Sequence, residues 1–530
     1  MTVDQRGENV LFVVGDGFVE AHVQIRYQGD PERFAWLVPM PVEPEVSVGS
    51  QPLFDALLRG SRPVFGLRTR VMRCDGSVEE SEAQGCAAQD ASLAQPAGAS
   101  MLEESETQAD PIGETVGAFD VTTLKDMETD EILQWLQDND FELPPRTAEL
   151  IDPYVRDGAV FVALRLTPGA GVQEIHPIVF RYPGDRPAIP VQLTAVAAVS
   201  DMRIRTFFLG EGRMAPTNFR HVELNQVRLH WPSFASNYDA VLSRAVDETG
   251  DGLGFVTEYA GDSAVVDPSA VHSAGWDAAA FEALEAAEVV PELERQGLAD
   301  CSSGSCRFTH PLVAALLQRH LPAPAGLDER RYWACVECED EESGAGFDAR
   351  AFADDFDARV VAPGRHAAGL LESRPYLTRM VTMISPDEMR VDPAFHERAD
   401  LPAVARERWA ERTVPCQGRA TLRLPDGRVL QERSVFSAWP GSDSGLPDAE
   451  RIALVPRRGA LEVVVDASAE IDLRVEALNA ETQRSADTDS AAGGRGALGG
   501  CRIHPGLSAQ APWLGLAVLA LIGRRRRLRA

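Results

Sequence analysis

With 530 residues and a hydrophobic fraction of 44%, the chain can bury a large core and divide into roughly two or three domains. Its formal net charge of -30 argues against nucleic acid as a partner, because that affinity is built from Lys and Arg on phosphates. Such a balance reads as a solvated, self-repelling surface, with cation binding as the rival reading.

Met1 to Asn9 shows no basic region followed by an apolar core, so no signal peptide is visible. Strands are expected at 10–14 and 18–27, joined as a hairpin across Gly15, Asp16 and Gly17. A third strand, 34–38, runs into Pro39, Pro41 and Pro44, a proline-spaced connector. Residues 53–58 read as a short helix. Residues 75–110 are rich in Ser, Ala, Gln and Glu and read as a loosely held acidic insert. Cys74 and Cys86 flank its first part and could close a small loop.

The most regularly patterned stretch is 115–261. Alternation predicts a strand at 116–121. Ile132, Leu133, Trp135 and Leu136 mark one face of a helix at 131–139, with Thr129 or Asp130 as N-cap. A second helix opens at Pro144 and Pro145, with a kink or early stop expected at Pro153. Strands follow at 159–166, 175–182, 189–199 and 202–209, then a helix at 238–246 and a strand at 254–259. Helices grouped together and strands linked in series read as α+β.

In the second half, 276–296 reads as a long helix broken at Pro291, 308–320 as a short helix and 377–384 as a strand. Residues 420–424 and 429–432 form a hairpin, and 461–465 with 471–475 a last strand pair. Residues 481–500 read as a flexible polar linker. The domain reading is 1–74 strand-rich, 75–114 acidic insert, 115–261 central α+β core, 262–400 helical and cysteine-bearing, 401–478 β, 479–510 linker with Cys501, and 511–530 apolar segment with arginines.

Cys301, Cys306, Cys335 and Cys338 stand in a C-x4-C and C-x2-C arrangement. Four thiolates could hold zinc, and a C-x2-C can be a redox pair; in an exported chain the same four make two disulfides, which is the preferred reading. Asp247 to Glu258 nearly fits a calcium loop. Thr249, however, stands where an acid is expected, and a strand follows where a helix should. His221 and Glu223 share a strand face and His230 follows, but two ligands are not a metal site. Asp443 occupies the serine position of a would-be nucleophile elbow. No catalytic residue and no cofactor is therefore expected.

Seven phrases run through the chain in order: FAWLVPMPVEPEVSVGSQPLFDALL, GAFDVTTL, LQWLQDNDFELPP, GAVFVALRLTPGAG, IPVQLTAV, FVTEYAG and YLTRMVTMISPDEMRVDPAF. In that order they resemble the bacterial domain-of-unknown-function family DUF 2330, over roughly 10–395. The resemblance implies an exported envelope protein and supplies no functional residues.

The tail combines Cys501, a 13-residue apolar run at 511–523, and Arg524, Arg525, Arg526 and Arg527. At about 1.5 Å per residue the run spans roughly 20 Å, short of a hydrocarbon core of about 30 Å. This order resembles the MYXO-CTERM sorting signal, although Arg502 and His504 sit where that pattern has small residues. The resemblance implies processing at Cys501 by a sorting protease at the membrane, then surface display. Export needs a leader, so the expectation is that the chain begins upstream of Met1. Setting Cys501 aside and pairing Cys74 with Cys86 leaves Cys416 for an upstream cysteine. The combined expectation is a displayed envelope protein with a binding or structural role and an unidentified envelope partner. The rival is a secreted hydrolase or metal-dependent enzyme.

Overall fold

Ten strands make the central sheet, and they come from both ends of the chain. The computed structural model describes residues 5–15, 17–25, 35–86, 113–139, 141, 143–338, 344, 346–432, 439 and 445–493. Cys501, the apolar run and the arginine cluster lie outside these. The sheet runs, edge to edge, through Glu462–Asp466, Ala449–Leu454, Arg220–Leu224, Gly254–Asp262, Tyr376–Ile384, Ala198–Gly210, Gln5–Gly15, Phe18–Ile25, Ile178–Pro183 and Glu45–Val48. Gln5–Gly15 pairs in parallel with Ala198–Gly210 and antiparallel with Phe18–Ile25. Such long-range pairing joins strands from between residues 5 and 466 into one sheet, drawing on both the N-terminal and the C-terminal β segments.

Because side chains alternate along a strand, each face has its own core. Val10, Phe12, Ala21, Val23, Phe180 and Phe208 point to one face. There they meet Val38, Met40, Phe119, Val121, Val162 and Leu164 from a four-stranded antiparallel sheet, Ala35–Met40, Val160–Leu166, Phe119–Leu124 and Glu114–Val116. The far side of that smaller sheet is covered by helices Thr129–Asp138 and Thr147–Arg156, through Ile132, Leu136 and Ile151.

On the opposite face of the large sheet, Leu11, Val13, Phe207 and Leu377 pack on helices Gln51–Gly60 and Ala362–Ser373. Nearby, helix Tyr238–Asp247 shares a core with a five-stranded sheet built on the parallel pair Val64–Met72 and Glu407–Val414. The described residues between 276 and 361 form a largely helical region with its own core around Phe281, Leu316, Trp333 and Phe356.

The architecture is α+β, as the pattern predicted, with several local corrections. The strand expected at 116–121 is a hairpin, Glu114–Val116 and Phe119–Leu124. Gly117 turns it at φ +62, and a Cβ there would stand 2.2 Å from His176 Nε2. The first central helix is capped by Glu128, which forms a capping box with Glu131, rather than by Thr129 or Asp130. The strand expected at 189–199 is a short helix, Val191–Thr194, followed by a strand from Ala198. Pro190 cannot donate to a ladder, and that broke the strand. The long helix expected at 276–296 begins only at Ala286.

Part of the supposed acidic insert is ordered. Val78–Cys86 pairs with Val64–Met72, and Arg68, Arg70 and Arg73 face Glu82, Glu80 and Glu79. Opposite charges across the ladder suit an exposed edge strand of the five-stranded sheet, which needs little apolar content. Residues 87–112 lie outside the described set. The strand expected at 471–475 is helical, within Ser468–Gly493, which also replaces the first part of the expected linker. Ile471, Val475 and Leu478 are buried at helical spacing.

Candidate functional site

Two features stand out, one on each face of the large sheet. The first is a cavity of about 350 Å3 between the ten-stranded and four-stranded sheets. Its walls are Val10, Phe12, Val23, Val38, Met40 and Phe180, all buried. Trp36 also lines it and meets Phe180 edge-on at 5.9 Å. One side of it is bordered by a turn around Pro190, where a strand was expected from 189. Ile189, Pro190 and Gln192 from that turn form part of the lining.

Polar groups at the cavity wall are already engaged. Tyr154 donates its hydroxyl to Asp392 Oδ2 at 2.7 Å, and the Gln192 backbone N–H donates to Oδ1 at 3.0 Å. Burial pushes the Asp392 carboxyl up, against the pull of these hydrogen bonds. Burial and the adjacent carboxylate drive the Tyr154 phenol far above its usual range. Arg186 stands at the rim, its exposed guanidinium 3.8 Å from the equally exposed Asp185 carboxylate. The cavity can therefore take an apolar body, and the carboxylates Glu8, Asp157 and Asp392 and the Arg186 guanidinium are among its polar lining.

The second feature lies on the other face. Glu20 and His22 sit two apart on strand Phe18–Ile25, so both point away from the cavity. His366 comes down from helix Ala362–Ser373. Both His22 Nε2 and His366 Nε2 reach the same oxygen, Glu20 Oε1, at 2.7 Å and 2.6 Å. The two rings lie nearly parallel, with centroids 6.0 Å apart. Burial would raise the Glu20 carboxyl, but the two histidine hydrogen bonds and their charge hold it far below the carboxylate range. The hydrogen bond to Glu20 in turn raises His366.

The placement of His366 depends on a π turn, Asp357–Val361, just before its helix. Arg359, Val360 and Val361 are all buried, which no single face of an α-helix allows. The extra residue rotates the helix from the core around Phe352 and Phe356 to the one holding Ala367 and Leu371. Arg359 fixes the turn by donating to Glu174 Oε2 at 3.0 Å.

The other sequence candidates resolve into structural roles. Cys301 pairs with Cys306 and Cys335 with Cys338, so these four are two disulfides and not a thiolate zinc site. Cys74 pairs with Cys416, which corrects both the expected loop to Cys86 and the unpaired status of Cys416. Strands Val64–Met72 and Glu407–Val414 run in parallel and end beside each other, and this brings the two cysteines together. In the supposed calcium loop, Asp251 pairs with Arg220, while Glu258 is buried and bonded by Tyr238 and Arg379. His221 bonds Thr257 and Arg213, and Glu223 faces Arg451. Asp443 lies outside the described residues.

Sequence reading missed the trio of Glu20, His22 and His366. The i, i+2 spacing of the first two was visible, but 346 positions separate Glu20 from His366. Layered α+β architecture with disulfide ties and a largely apolar cavity between two sheets defines the class. The chain belongs to the family described as an uncharacterized protein conserved in bacteria, DUF2330, whose model matches residues 4–385. No curated protein and no solved structure matches the chain.

Proposed function

We propose that this protein is exported to the cell envelope, displayed there through its C-terminal tail, and works by binding an apolar ligand rather than by catalysis. The observation that carries the binding reading is the cavity of about 350 Å3, walled by buried apolar side chains. That is more than twice the roughly 150 Å3 apolar cavity that admits benzene, and within the range of small-molecule sites. A medium-length acyl chain suits the volume, with its anionic head at Arg186. Trp36 supplies the test. A brominated medium-chain fatty acid should quench Trp36 fluorescence, and Trp36→Phe should abolish that quenching. Equal quenching in the variant, or none in either protein, overturns the reading.

Three disulfides support an oxidising compartment, where such bonds form and persist. Among the described residues no helix is long and apolar enough to cross a membrane. Anchoring is therefore assigned to the tail, through Cys501, the apolar run and Arg524 to Arg527, acting with a sorting protease and the membrane. An envelope partner, rather than nucleic acid, fits the net charge of -30. Cys501→Ala should leave full-length protein in the membrane fraction; normal maturation of that variant refutes the sorting role. The rival reading, a metal-dependent enzyme, draws its one specific support from Glu20, His22 and His366.

A further inference from the structure

We propose that Glu20, His22 and His366 bind a zinc-class divalent cation, which clips helix Ala362–Ser373 to the large sheet and leaves one coordination position open to solvent. This inference does not depend on the cavity, which lies on the opposite face of the same sheet. The donor set is two imidazole nitrogens and one carboxylate, the ligand class of open, three-residue zinc sites. Two nitrogen donors disfavour calcium and magnesium, which take oxygen. The three donor atoms lie within 4.8 Å of one another, so one ion can reach them all.

Two of the ligands are rigidly placed. The His22 and Glu20 side chains are 1% and 5% exposed, fixed on a strand inside the sheet. The third, His366, is 51% exposed and opens the site to solvent. Bound to one ion at about 2.0–2.2 Å in tetrahedral directions, donors sit roughly 3.4 Å apart. The present contacts of 2.7 Å from His22 and 2.6 Å from His366 are hydrogen-bond lengths, so the Glu20 carboxylate must draw back from both imidazoles by about 0.7–0.8 Å on binding.

Two features limit the affinity. His22 Nδ1 is buried without a hydrogen-bond partner. Ligation through Nε2 puts the proton on Nδ1, where it finds no acceptor, a loss of roughly tenfold to a hundredfold in affinity. Arg181 stands directly across the ladder from Glu20 and adds a positive charge, although Glu45 and the Phe18 ring engage it. The site should therefore bind zinc in the micromolar range, weaker than a closed structural site. The competing description is a hydrogen-bonded trio in which both imidazoles donate to Glu20.

The test is titration of the metal-free full-length protein with zinc by calorimetry, and with cobalt(II) by visible absorption. One equivalent should bind, cobalt should give the intense bands of a four-coordinate site, and zinc should raise the melting temperature. His366→Ala is expected to fold normally, because the ring is half exposed, and to lose that equivalent, the bands and the zinc-dependent stabilisation. His366→Asp returns a donor and should recover part of the binding. The proposal fails if the wild-type protein takes up no zinc at high micromolar concentration. It also fails if His366→Ala binds with unchanged stoichiometry and affinity, since the acidic surface would then be the binder.

Discussion

Removing the Cys74–Cys416 disulfide should cost far more stability than removing either of the other two. In the chain-entropy account a crosslink acts on the unfolded chain, and its effect grows with the loop it closes. The separations are 342 residues for Cys74–Cys416, 5 for Cys301–Cys306 and 3 for Cys335–Cys338. These give an upper figure of about 6 kcal/mol for the first and about 2 kcal/mol for each of the others. The folded state should change little, because strands Val64–Met72 and Glu407–Val414 are already paired along their length. Paired serine variants avoid leaving a free thiol partner. Hydrogen exchange read by mass spectrometry across 64–72 and 407–414 gives the opening free energy in place, without assuming that so large a chain unfolds in two states. Opening should become easier by several kcal/mol in Cys74→Ser/Cys416→Ser. A loss no greater than that in Cys301→Ser/Cys306→Ser refutes the loop-entropy reasoning.

Acid should destabilise the protein through buried neutral histidines, among them His310 and His176. Burial lowers His310 to about 3 and His176 to about 4. Both rings accept a backbone N–H, at Leu312 and Ala118, which requires a bare ring nitrogen. Their folded values lie below the unfolded value of about 6.5, so the unfolded chain binds more protons in between. Stability is thus complete above about pH 6.5 and lost as pH falls, by about 2 kcal/mol per histidine between pH 7 and 5. His310→Asn keeps a helix-capping side chain and should reduce the acid loss by about that amount in urea titrations at the two pH values; an unchanged loss refutes the assignment. Arg379→Met should cost about 3–5 kcal/mol, because it strands the buried Glu258 carboxylate. The double variant Arg379→Met/Glu258→Leu should cost less than the single, measured by the same denaturation; equal cost would show that the ion pair is not the reason.

The fold class and most elements were legible because they rest on short-range pattern. The short apolar runs in 160–166 and 376–384, and the helical stripe of 132–136, describe neighbours that the sequence itself places together. Errors fell where one apolar run serves two periods. Val191 and Leu193 alternate like a strand, yet Pro190 makes the turn helical. Ile471 and Val475 were read by composition, when their spacing of four was the better guide. The acidic strand 78–86 was misread because cross-strand ion pairs replace the apolar content normally sought in an ordered segment.

Site geometry follows a different rule, because its information is long-range. The disulfide Cys74–Cys416 and the contact Glu20–His366 close over 342 and 346 positions. Neither can be deduced from spacing: nearness in sequence suggested Cys86 for Cys74, and counting cysteines then left Cys416 for an upstream partner. Both depend on the same circumstance: strands from the N-terminal segment are completed by later ones, so residues before 75 acquire partners after 360. Gln5–Gly15 is held on one side by Ala198–Gly210, which in turn pairs with Tyr376–Ile384. The helix bearing His366 leads directly into that last strand. The sheet pairing that orders the core therefore also sets the His366 helix above Glu20. A change that shifts the register of Tyr376–Ile384 by one residue would turn Arg379 and Leu377 to the other face. It would also displace His366 from its partners, so the trio cannot be assembled without the long-range sheet.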